Sequence, residues 1–183
     1  MALISIAFEW ALDQWAVVVA ALAFVYNMLF NSQNSRLIAS SLTVALMYAF
    51  GHFLLAWINE LPFDEQVYFR YSSRFLLYAI AGFFMAALIF KLGPNFTTTT
   101  VFSVMIFSII MQLLLHIDRN VIGLNKISES IELGNAIVNK GFPSGYWFLW
   151  DFYTVSLNVT GCFLFIYLFV GEDIKEYLCS RFS

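Results

Sequence analysis

The chain has 183 residues, of which 61% are hydrophobic, 19% aromatic and only 11% charged, and its formal net charge is −3. Soluble domains are about 45–50% apolar and about 25% charged, so the composition excludes an ordinary water-soluble domain. The slightly negative balance, with no block of basic residues, excludes a nucleic-acid partner, and the length suits one membrane domain over residues 1–183.

Met1 to Phe30 lacks a basic leading region, and Glu9 and Asp13 interrupt its apolar run. That pattern predicts a retained first span over 11–30 in place of a cleaved signal peptide. Trp10 and Trp15 suit the membrane interface, and Ala16-xxx-Ala20 offers a small-residue packing face. After the polar turn Asn31–Arg36, a second span is predicted over 37–58, closed by Trp57 and carrying Ser40, Ser41, Thr43 and His52. The loop Asn59–Gln66 is acidic, and its Pro62 and Asp64 favour a helix start. A third span follows over 67–90, with Arg70 and Arg74 one turn apart on one face and Gly82-xxx-Ala86 as a close-approach surface.

Lys91 to Asn95 contains a Gly-Pro stop before the fourth span, 98–117. Its almost unbroken apolar run from Val101 to Leu115 ends abruptly at His116-Ile117-Asp118-Arg119, where lipid should give way to a polar layer. In the long connection to Tyr146, Leu124, Ile127, Ile131 and Val138 fall on one side of a helical projection, opposite Glu129, Glu132 and Lys140. This predicts a short amphipathic helix over 125–140, lying on the membrane or on a partner subunit. The fifth span is placed at 147–170 and the tail at 171–183. The predicted fold class is therefore all-α: a polytopic bundle of about five transmembrane helices and one interfacial helix. Cys162 and Cys179 would lie about 25 Å apart along one helix, too far for a disulfide.

Lysine and arginine counts do not fix the orientation, but Glu9 and Asp13 precede the first span and Arg36 follows it. This favours an outer N-terminus and a cytoplasmic tail, in a membrane expected to be the bacterial inner (plasma) membrane. The sequon Asn95-Phe96-Thr97 would reverse the assignment if it were glycosylated.

Alternating spans then gather Glu9, Asp13, His52, Glu60, Arg70, Arg74, His116, Asp118, Arg119 and Asp151 on one side. Asn27, Ser40, Ser41, Thr43, Ser103, Asn158 and Thr160 fall in the opposite half. An unpaired charge at mid-bilayer costs about 2.5–3.5 kcal/mol on insertion scales, so Arg70 and Arg74 are expected to pair with Asp151 and Asp118. Arg70, Arg74, His116, Asp118, Arg119 and Asp151 form the candidate site for a ligand or partner; as a purely structural arrangement, the same pairs would fix helix packing. His52 lies fifteen residues after Leu37 and His116 fifteen after Val101, in spans that run the same way, the ligand set of a bis-histidine haem b, with Gly51 leaving room for a macrocycle; hydrogen-bonded helix-end histidines are the simpler reading.

No phosphate loop, HExxH or GxSxG occurs, and no lysine sits mid-span to hold retinal, so no catalytic residue is assigned and an enzyme has no positive support. The leading expectation is a non-catalytic subunit, scaffold or sensor, that homo-oligomerises and docks a protein partner at its cytoplasmic face or interfacial helix. Envelope stress and phage defence are contexts in which such subunits serve. The alternatives are a small oligomeric channel or transporter with an ionisable outer vestibule, and the haem electron carrier.

Overall fold

Asparagine and proline set where the helices begin. The computed structural model describes residues 2–117, 130–133, 136–139 and 148–182, with side chains described for 15–62, 65, 66, 68–117, 152, 153 and 155–170. Helix α1 runs Ala2–Phe30, α2 Ser35–Ile58, α3 Phe63–Leu92, α4 Phe96–His116 and α5 Phe148–Phe182. The Asn34 side chain accepts from the Leu37 amide and caps α2. Asn95 closes a reciprocal capping box with Thr98 at the start of α4. Pro62 leads into α3, which stops at Gly93; a φ of +77° there admits glycine and little else.

Inside each helix a narrow seam repeats every three or four residues. On α4 it is Val101, Met105, Ser108, Gln112 and Leu115; on α1 it is Ala20, Ala23 and Asn27. That spacing keeps one stripe facing the neighbours along the whole helix, as in a left-handed bundle. The central core draws Ala20, Val44, Met85, Met105 and Leu164 from all five helices. Neighbours follow chain order, α1 to α5, with α5 returning to α1 and α2 also touching α4. The α3–α4 pair is the most intimate: a Cβ on Gly82 would stand 3.5 Å from Ile109 Cδ1. Ala20 and Ala23 are likewise fully buried. Of the two small-residue faces read from the sequence, Ala20 and Gly82 are buried, and Ala16 and Ala86 are half-buried.

Outside the seams the helices are apolar. Phe90 is 94% exposed, Phe83 72% and Phe53 71%. Three helical stretches, Ser35–Ile58, Tyr68–Leu92 and Phe96–His116, are long and apolar enough to cross a membrane. Even the shortest, at 21 residues, reaches about 32 Å, enough for a hydrocarbon core of about 30 Å. The stretches Trp15–Phe30 and Val155–Val170 are apolar but shorter. Helix boundaries follow the sequence reading closely, except that α1 begins earlier and α5 runs on through the predicted tail.

The connection between α4 and α5 departs from expectation. Where an amphipathic helix was predicted over 125–140, Ser130–Leu133 (β1) and Ala136–Asn139 (β2) pair as an antiparallel hairpin, Leu133 opposite Ala136. The remainder of that segment lies outside the described residues. The physical reason is local: β-branched Ile131, Ile137 and Val138 suit paired strands better than a helix. Four-residue strands bury little, and β1 lies beside α1.

Candidate functional site

At the end of the bundle where α4 finishes, polar side chains bond helix to helix. Gln112, fully buried, donates from Nε2 to the Tyr153 hydroxyl at 3.0 Å. Arg74 Nη1 donates to the same oxygen at 3.4 Å. One phenol oxygen therefore ties α3, α4 and α5, with Tyr71, Met111 and Leu115 packed around it. Gln112 lies about 6 Å deeper than His116 along α4, so the contact is set inside the bundle. In low dielectric such bonds strengthen, and an unmatched polar atom there is costly. Gln112 Oε1 is such an atom: it is buried and without a hydrogen-bond partner.

Nearer the surface, Arg70 Nη2 donates to Asn59 Oδ1 at 3.2 Å. Gln66 Nε2 donates to the Asn59 and Leu61 carbonyls, so the α2–α3 turn is held by the first turns of α3. The His116 ring meets Tyr68 edge-on, with centroids 5.4 Å apart. Arg70, Arg74 and His116 are thus all at this end. Asp118 and Arg119 lie outside the described residues. Asp151 falls in the first turn of α5, and its side chain lies outside them too.

His52 has other neighbours. Its ring stands edge-on to Phe53 on its own helix, at 5.9 Å. Beside it, a Cβ on Gly51 would meet Leu77 Cδ2 at 3.2 Å, so Leu77 of α3 takes the room that glycine leaves. The two imidazoles therefore have different ring neighbours. Among the described residues, no group of three or more His, Cys, Asp or Glu is placed to hold a metal ion.

The opposite end is built differently. Asn27, fully buried, donates from Nδ2 to the Leu168 carbonyl at 2.9 Å and accepts from Asn31 Nδ2 at 2.8 Å. Arg36 donates to the Leu92 carbonyl, joining the α1–α2 turn to the end of α3. Ser40 and Ser41 donate to carbonyls of their own helix. Asn95 Oδ1 accepts from both the amide and the hydroxyl of Thr98, and Thr97 is fully buried, so the sequon is built into a helix start.

Gln112, Tyr153 and Asn27 matter most to this geometry, and reading for charge passes over Gln112 and Tyr153. A usable signal was the seam: Gln112 occupies the Val101–Leu115 row otherwise filled by packing residues. Compared with known protein families, characterised proteins and solved structures, the chain matches none. Its chemistry is argued from its own residues.

Proposed function

We propose that the chain is a non-catalytic, multi-pass membrane subunit, a scaffold or sensor, whose five helices all cross the bilayer. Its arginine-and-histidine end faces outward and receives a partner. The observation that carries this reading is the division of surfaces. Large apolar side chains cover the outside of every helix, and the buried amides Asn27 and Gln112 bond to neighbouring helices. An apolar surface on that scale belongs in lipid. Polar side chains bonded from helix to helix supply the specificity that lipid, being as apolar as leucine, does not. Arg70 and Arg74 near one end give a partner with carboxylates something to recognise.

Cysteine accessibility tests the topology. With Cys162 and Cys179 replaced by serine, single cysteines at Ser32, Glu60, Pro94 and Glu132 are probed with an impermeant maleimide in sealed vesicles. Positions 32 and 94 should react from one side, and 60 and 132 from the other. Reaction of 32 and 60 from the same side would overturn the five-pass reading. The partner site is tested by mild-detergent purification: a partner held by the wild type should be lost with Arg70→Gln. Ion flux through reconstituted vesicles, abolished by Gln112→Leu, would replace the scaffold with a channel.

A further inference from the structure

Asn158 is an amide in the middle of the apolar part of α5, about 15 Å along the axis from Phe148 and about 18 Å from Val170. It is exposed, on a stripe with Val155, Val159, Cys162 and Ile166. The hydroxyls nearby on the same helix are satisfied locally: Ser156 donates to the Phe152 carbonyl and Thr160 to the Ser156 carbonyl. The two other described amides within apolar stretches, Asn27 and Gln112, each reach another helix. Among the described residues, the Asn158 side chain has no hydrogen-bond partner.

Lipid tails offer an amide neither a donor nor an acceptor, and polar side chains inside a membrane face another helix or a polar cavity. A carboxamide is also self-complementary. Across a two-fold axis, Nδ2 of each copy meets Oδ1 of the other, and no second residue type is required. Two copies inserted in the same sense bring the same depth of α5 together, which is what a two-fold interface demands. Val155, Val159 and Ile166 then supply close packing on either side.

We infer that α5 pairs with α5 of a second copy of this chain, through a hydrogen bond between the two Asn158 amides at mid-membrane. This rests on the reading of α5 as a span. It names the surface by which the proposed subunit self-associates.

Cys162, one turn after Asn158 on the same stripe, is a native probe. Full-length protein carrying Cys179→Ser, in membranes of the expression host, is treated with a short bis-maleimide and run on a denaturing gel. A band at twice the monomer mass is expected, and Cys162→Ser should abolish it. Asn158→Leu should lower it roughly tenfold, the scale of one interhelical polar bond in lipid. Asn158→Gln, which keeps donor and acceptor, should retain most of it. Heat stability of Asn158→Leu in detergent should match the parent, which separates lost pairing from lost folding. An undiminished band in Asn158→Leu would overturn the inference. So would a parent that reacts with a monofunctional maleimide at Cys162 yet gives no dimer, or that crosslinks only to a species of another mass. Extraction with alkaline carbonate separates the two levels: a chain released from the membrane refutes the spanning reading, whereas one that stays but does not pair refutes only the Asn158 contact.

Discussion

The two ends of the bundle hold α5 by different chemistry. Between helices at the Gly93 end, side chains bond to backbone: Asn27 to the Leu168 carbonyl and Arg36 to the Leu92 carbonyl. At the His116 end, side chain meets side chain, with Gln112 and Arg74 converging on the Tyr153 hydroxyl and Arg70 on Asn59. A backbone acceptor is present whatever residue supplies it, so the first end tolerates sequence change on the accepting side. The second depends on every partner's identity. It also contains the arginines and an amide oxygen with no mate. One end is latched to main-chain acceptors, and the other is held by matched side chains.

Four substitutions test that contrast. Tyr153→Phe should have the largest effect, about 2 kcal/mol, because it leaves the buried Gln112 Nε2 without its acceptor and removes one from a charged donor. Thermal unfolding in detergent measures it, and partner retention should fall as well. Asn27→Leu should cost about 1.5 kcal/mol by the same assay, near the upper range for interhelical polar bonds in membranes, with partner retention unchanged. If it also released the partner, the division between the ends would collapse. Asn95→Ala should cost about 1 kcal/mol through loss of the α4 cap. Smallest of all, Gln112→Leu should shift stability by less than about 1 kcal/mol in either direction, because the lost bond is offset by removal of an unmatched buried oxygen. A double-mutant cycle of Gln112→Leu with Tyr153→Phe should reveal coupling of about 0.5–1 kcal/mol.

Much of the helical framework can be read from the sequence, because runs of apolar residues and breaks such as Asn31–Arg36 and Gly93-Pro94 are strong signals. Three helices long and apolar enough to cross a membrane stand where the second, third and fourth spans were expected. The hairpin is not legible from periodicity, because Ile131 and Val138 fit a helical projection as well as a strand. Of the site, the shared end of Arg70, Arg74 and His116 follows from counting alternating spans. Tyr153 as the common acceptor does not, since reaching it depends on how α3, α4 and α5 are rotated. Gln112 carries no charge and was hidden in a greasy run. Its place in the four-three repeat with Val101, Met105, Ser108 and Leu115 is visible only once the seam is drawn.

Helix α5, the fifth of the described helices in chain order, closes the ring by returning to α1. The Tyr153 hydroxyl and the Leu168 carbonyl lie about 22 Å apart along it, so it is latched near both ends. Without it, Gln112 Nε2 loses its acceptor on Tyr153 and Asn27 Nδ2 its acceptor on Leu168. A chain cut short before Phe148 should therefore hold its first four helices less firmly, with both amide donors left unmatched, and thermal unfolding in detergent would measure the loss.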